Sequence, residues 1–162
     1  MAEFVNGFFE ENRFLSNFWD SEVEYDGVVY PTVEHAFQAA KFSDPTHRKL
    51  IQEAKTPGAA KRLGQTRTVP LRKHWAEGLS TQVMAELVAK KFAHHPTLKA
   101  ELLATGDAIL VETNDWGDDV WGNSTTTEAP GKNLLGVTLM AVRSALRAAD
   151  EVTAQISDLR LF

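Results

Sequence analysis

The stretch "YPTVEHAFQAAKF", residues 30–42, decides how this chain is read. After Pro31 the spacing predicts a helix: Val33, Phe37 and Ala40 recur at i, i+4 and i+7 and form one apolar row. Glu34, Gln38 and Lys41 repeat that spacing one residue later. Successive helical residues are turned by about 100°, so this polar row borders the apolar row rather than opposing it. The placement suits a pocket wall carrying a carboxylate, an amide and an amine. It also suits the wet side of an ordinary amphipathic helix, and the pattern alone leaves both readings open.

Upstream, the chain reads as β. "FVNGFF" is short and aromatic-rich, and "SEVEYDGVVY" (21–30) alternates around Asp26-Gly27, a hairpin signal. Between them "EENRFLSNFW" (10–19) reads as a loop carrying Phe14, Phe18 and Trp19. Downstream, Asp44-Pro45 and Thr56-Pro57 each offer an N-cap and a first-turn proline, for helices through "THRKLIQEAK" and "GAAKRL", the second stopped by Gly64. "HWAEGLSTQVMAELVAKKF" (74–92) is the longest helical pattern, with Leu79, Val83, Leu87 and Val88 near one face. Pro96 opens a helix that Gly106 closes, and "AILVET" (108–113) reads as a buried strand.

Residues 114–133, "NDWGDDVWGNSTTTEAPGKN", form a polar stretch too long for a plain connection; such loops are functional or disordered, and two tryptophans argue against disorder. "LLGVTLMAVRSAL" then predicts a helix with Leu135, Leu139, Val142 and Leu146 on one face, and "EVTAQISDLRLF" (151–162) reads as a tail docked as a strand or short helix. No linker composition appears. The expected fold is one α+β domain over 1–150 plus the tail, mainly helical with a small, mostly antiparallel sheet.

The totals bound the function. A chain of 162 residues with 43% hydrophobic content can bury a core. It has no cysteine, which removes thiolate nucleophiles, disulfides and cysteine-held metals. No apolar run reaches membrane-spanning length and no signal peptide opens the chain, so a cytoplasmic, membrane-free protein is expected. A net charge of −5 speaks against broad, non-specific grip on nucleic acid, while leaving room for a local basic pocket. The five histidines are scattered, and no Walker loop, GxGxxG or GxSxG sequence occurs, so no metal or cofactor is expected.

Three acidic regions can carry chemistry: Glu34, Glu112 and the Asp118-Asp119 pair. Two carboxylates across a cleft are what glycosidic cleavage needs, one to move a proton and one to stabilise positive charge on the sugar; each is equally a surface group or cap. Lys41 can bind an anion as an ammonium, attack a sugar aldehyde as a neutral amine, or sit on the surface. Phe14, Phe18, Trp116 and Trp121 can stack on a planar base or anchor their loops. "PGKNLLG" places Asn133 at the start of the last helix, either as an N-cap or beside amides that could receive phosphate.

Taken in order, "RFLSNFW", "DGVVYPTVEHAFQAAKF", "AAKRLG", Trp75, "AKKF", "LLATGDAILVET", "DDVWGN" and "GKNLLGVTLMAVR" resemble the NADAR superfamily with its YbiA-like N-glycosidases, over about residues 8–147. The resemblance implies a mainly helical α+β fold and hydrolysis of N-glycosidic bonds between a base or amine and a phosphorylated ribose. The implied substrates are ADP-ribosylated guanine or ribosylamino-pyrimidine phosphates of riboflavin synthesis. It makes Glu34 and Asp118 the leading catalytic carboxylates and Lys41 a candidate for direct chemistry on the ribose. Ser16, Asn17 and Trp121 would line the base and sugar pocket, with Phe14, Gln38, Trp75, Gly122 and Asn133 completing it and Lys61 meeting phosphate. Two departures bear on substrate choice: "NSTTTEAP" replaces the glycine-rich run after "WG", and Gln65 stands where a basic residue is common. The rival expectations are a non-catalytic reader of ADP-ribose or a similar nucleotide, and an interaction scaffold.

Overall fold

The helix at 30–42 forms because Thr32 caps it: the Thr32 hydroxyl accepts from the His35 amide at 3.2 Å, and the helix α1 (Val33–Ala40) follows. His35 Nε2 lies 3.0 Å from the Ala54 carbonyl, which can only accept, so that nitrogen carries the proton. Every residue of α1 is buried, Glu34 and Gln38 included. A helix covered on all sides is a central element rather than a surface one.

The structure, a computed structural model, describes residues 3–160. The chain packs as two compact units, one spanning Arg13–His94 and the other joining the chain before Arg13 to the chain after His94. In the first unit, α1 is packed against α2 (Pro45–Gln52), α3 (Pro57–Leu63), α4 (Leu79–His94) and the hairpin of β2 (Val23–Tyr25) and β3 (Val28–Tyr30). Asp26 and Gly27 both have positive φ, 52° and 77°, as a two-residue type I′ turn requires. Asp44 and Thr56 cap α2 and α3 with their side chains, each ahead of a first-turn proline. The expected start of α4 at His74 is displaced: Trp75–Glu77 is a 3-10 turn, and Gly78, at φ 114°, separates it from the helix.

In the second unit, β1 (Phe4–Asn6) pairs in parallel with β4 (Ile109–Val111), and β5 (Thr113–Asn114) pairs in parallel with β6 (Asn123–Ser124). The mainly helical α+β class stands, but the expected antiparallel pairing holds for the β2–β3 hairpin alone among these ladders. The reason is physical: a tight turn announces an antiparallel hairpin, whereas a parallel pair has no two-residue turn to mark it in the sequence. After α5 (Pro96–Ala104), α6 (Leu134–Leu159) covers β4 with Leu135, Leu139 and Val142. Contact is close at Gly136, where an added Cβ would fall 2.1 Å from the Leu110 carbonyl. Residues 151–159 do not dock as a separate element. They continue α6, with Val152 and Ile156 exposed, because no glycine or proline interrupts the helix; 161–162 lie outside the described residues. No helix among the described residues is long and apolar enough to cross a membrane.

One buried group of the first unit titrates far from its usual range. Lys91 on α4 is 1% exposed, and burial pulls its pKa down to about 7. Its amine donates to the carbonyls of Phe14 at 2.6 Å and Ser16 at 2.9 Å, bonds that ammonium and neutral amine can both make. The unfolded chain binds a proton here up to the ordinary lysine pKa, so between pH 7 and about 10 the folded form holds fewer protons. The contribution of Lys91 to stability therefore rises with pH across that window. Urea unfolding from pH 7 to 10 should give a smaller increase for Lys91→Met than for wild type.

Candidate active site

The polar row of α1 is built into the protein. Glu34 is 7% exposed and Gln38 4% exposed, and the Gln38 amide donates to Glu34 Oε1 at 2.7 Å, one helical turn away. The Glu34 amide, in the first turn of α1, donates to the Asn17 carbonyl at 3.0 Å. Lys41 ends the helix half-buried, its Nζ 3.4 Å from the Gly64 carbonyl and 5.9 Å from the centre of the Phe37 ring. Burial lowers the Lys41 pKa; the Glu34 carboxylate opposes that, and the Lys61 charge adds to it. A carboxylate and a partly desolvated amine thus stand two turns apart on one rigid helix, each sensing the other's charge.

Gly64 closes this arrangement for a reason unlike the one the sequence suggests. It follows α3 with φ −72° and ψ −10°, an ordinary helical conformation, so no left-handed cap demands glycine. Space demands it: a Cβ would lie 1.9 Å from Gln38 Oε1 and 2.7 Å from Gln38 Cδ. That oxygen is fully buried and accepts no hydrogen bond among the described residues. Gly64→Ala should destabilise the protein by about 1–3 kcal/mol, the usual cost of overpacking, and displace the Gln38 amide from Glu34. The urea midpoint reads the first effect and the Gln38 side-chain amide signal in an NMR spectrum the second.

The other candidates of the Arg13–His94 unit divide into wall and scaffold. Lys61 is half-buried in the last turn of α3, near enough for its charge to act on Lys41. Ser16 is half-buried, its hydroxyl accepting from the Phe18 amide at 3.1 Å. Asn17 is buried, with Nδ2 3.4 Å from Met84 Sδ. Phe14 is 7% exposed and edge-on to Phe92, and Trp75 is packed on Phe37 with ring centres 5.3 Å apart. Both rings are buried and count among the core side chains. Gln38 is buried too, as the hydrogen-bond partner of Glu34.

In the second unit the 114–133 segment is ordered by its own polar groups. Asp118 Oδ1 accepts from the Val120 and Trp121 amides at 3.1 and 2.9 Å, so this carboxylate oxygen shapes the turn that carries half-buried Trp121. Asp119 Oδ1 accepts from the Ser124 amide and the Thr127 hydroxyl, which ties "NSTTTEAP" back to the loop. Gly122 is required by crowding, since a Cβ would meet the Glu112 carbonyl at 2.4 Å. Asn133 is neither a side-chain cap nor a phosphate ligand: its Nδ2 donates to the Leu110 carbonyl and its Oδ1 accepts from the Glu112 amide, splinting β4. The amides of Asn133, Leu134 and Leu135 already donate to the carbonyls of Gly122, Val120 and Trp121. The sequence reading missed Lys91 as well. It appears there only as the third residue of "AKKF", one place past the apolar row of α4, and its burial is a tertiary fact.

Comparison with known proteins agrees with this architecture. A family model described as the NADAR domain matches residues 4–147. The N-glycosidase YbiA of Escherichia coli (strain K12) is 43% identical over 132 residues, covering 82% of this chain and 80% of that protein. The riboflavin biosynthesis protein VVA0006 of Vibrio vulnificus is 33% identical over 138 residues, 85% of this chain but 36% of that longer protein. The NMR structure of the Escherichia coli protein YbiA superposes with a TM-score of 0.81 at 38% identity, over 93% of this chain and 89% of that one.

Proposed function

This chain belongs to the NADAR family, and from that membership and its N-glycosidase relatives we propose that it is an N-glycosyl hydrolase cutting the bond between a base or amine and a phosphorylated ribose. The observation that carries the reading is the α1 row itself: buried Glu34 held by Gln38, and Lys41 with a pKa lowered by burial and its amine at the Gly64 carbonyl. An amine becomes a nucleophile when it loses its proton, and desolvation promotes that loss.

In this reading the C1′–O4′ bond of the ribose breaks as C1′=N forms with the base nitrogen and O4′ takes a proton from water. Lys41 Nζ then adds to C1′ of the opened sugar. The C1′–N bond to the base breaks as a Schiff base forms between C1′ and Nζ. Glu34 takes the proton released by the attacking amine and delivers it to the departing nitrogen. Water then adds to C1′, the C1′–Nζ bond breaks, and the amine is restored as the sugar leaves. Lys61 supplies a cation for the phosphate. The reading assigns no chemistry to Asp118, whose Oδ1 is committed to the Trp121 turn.

Two substrate classes fit this chemistry, ribosylamino-pyrimidine phosphates and ADP-ribosylated guanine. The riboflavin-biosynthesis name of one relative favours the first. A chromatographic assay of the purified protein against both, and against NAD, tests the proposal. Free base released by the wild type, with a borohydride-trapped sugar adduct on Lys41 in the mass spectrum, is the expected result. Folded protein that releases no base from any of them, yet gains thermal stability from ADP-ribose, would replace the hydrolase with a nucleotide reader.

A further inference from the structure

Lys91 is a residue for which the reaction above has no use, and its surroundings are unusual for a lysine. It is 1% exposed, its amine lies 5.0 Å from the centre of the Phe92 ring, and burial alone accounts for its lowered titration, with no carboxylate offsetting it among the described residues. Burying an amine without a counter-charge is costly, and an apolar residue of similar length would remove that cost. Its partners are two backbone carbonyls, Phe14 in the last turn of a 3-10 helix (Glu10–Leu15) that opens the expected 10–19 loop, and Ser16 just past its end. The Ser16 carbonyl accepts from the Trp19 amide as well, so the Lys91 amine ties a turn that is already formed.

The next residue, Asn17, is tied to both α4 and α1. Asn17 Nδ2 lies against Met84 Sδ, and Met84 and Lys91 are seven residues apart on the buried face of α4. The Asn17 carbonyl accepts the amide of Glu34 at 3.0 Å. A continuous line of hydrogen bonds therefore runs from the Lys91 amine through the 14–17 backbone to the first turn of α1. We propose that Lys91 is a positioning residue, setting the conformation of the 14–17 segment and, through the Asn17 carbonyl, the place of Glu34. Its effect on turnover rests on the role given to Glu34 above; its effect on the segment does not.

The test uses Lys91→Met, which keeps the length of the side chain and removes its donors. Amide hydrogen exchange should accelerate at least tenfold at Glu34 and Trp19, whose amide donates to the Ser16 carbonyl, while the α2 amides keep their wild-type rates. In parallel, kcat should fall at least tenfold with a smaller change in KM. Wild-type exchange at Glu34 together with wild-type kcat would overturn the proposal, and so would a uniform acceleration across the Arg13–His94 unit, which marks a structural role only. If Lys91→Met does not fold, couplings across the hydrogen bonds of the wild-type amine decide. Their detection to the Phe14 and Ser16 carbonyls, with a Lys91 signal that shifts in Glu34→Gln, supports the line of contacts, and their absence overturns it. Exchange needs no substrate, so a wild type that cleaves nothing would defeat the hydrolase reading while Lys91 is still judged.

Discussion

Glu34→Gln is expected to lower kcat by about 10²–10⁴-fold, the usual worth of a positioned acid–base group, with an unfolding midpoint close to wild type. The fold is spared because the substitution is isosteric and the new amide oxygen can still accept from Gln38 Nε2, now 2.7 Å from Glu34 Oε1. The change removes the proton-carrying carboxylate and little else. It also removes the charge that opposes the lowering of the Lys41 pKa, so Lys41 should titrate lower still in this variant. Steady-state assay with free-base detection measures the first effect, and the pH dependence of chemical labelling at Lys41 measures the second. A variant with near-wild-type kcat would remove Glu34 from the reaction.

Lys41→Met should be the more severe change, a loss on the order of 10³-fold or more, since removing a nucleophile leaves only binding and electrostatics to act. Borohydride should trap no sugar on this variant while trapping it on the wild type. The wild-type pH profile carries a linked expectation. The reactive amine is the deprotonated one, and burial lowers the Lys41 pKa, so kcat/KM should rise with pH along a limb lying below the ordinary lysine range. A Lys41→Met protein that still turns over at the wild-type rate would rule out the covalent route and leave Lys41 an anion contact. Together the two variants separate the proton carrier from the nucleophile: the first should slow the trapped adduct's formation, the second should abolish it.

Much of the local structure was legible in residues that act on their own neighbours. Asp26-Gly27, Asp44-Pro45 and Thr56-Pro57 predicted a turn and two helix starts, and each performs that role through its own dihedrals or side-chain oxygen. The apolar spacing of 33–40 and of 134–142 announced α1 and the inner face of α6. The ordered motifs also pointed to the family that the comparisons establish.

What the sequence could not determine is which polar residues the fold would bury and what each would meet. The row Glu34, Gln38, Lys41 reads alike for a wet helix face and a pocket wall; packing of α1 on all sides excluded the wet face, because it leaves Glu34 and Gln38 no solvent to point into. Gly64 looked like a helix stop and is instead a space for Gln38. Asn133 looked like a cap or anion site and is a splint for β4. Lys91 stood out in nothing beyond its place in "AKKF". Each depends on a contact between residues distant in the chain, and residue type and spacing specify a local preference, whereas the partner is supplied only when the chain has folded.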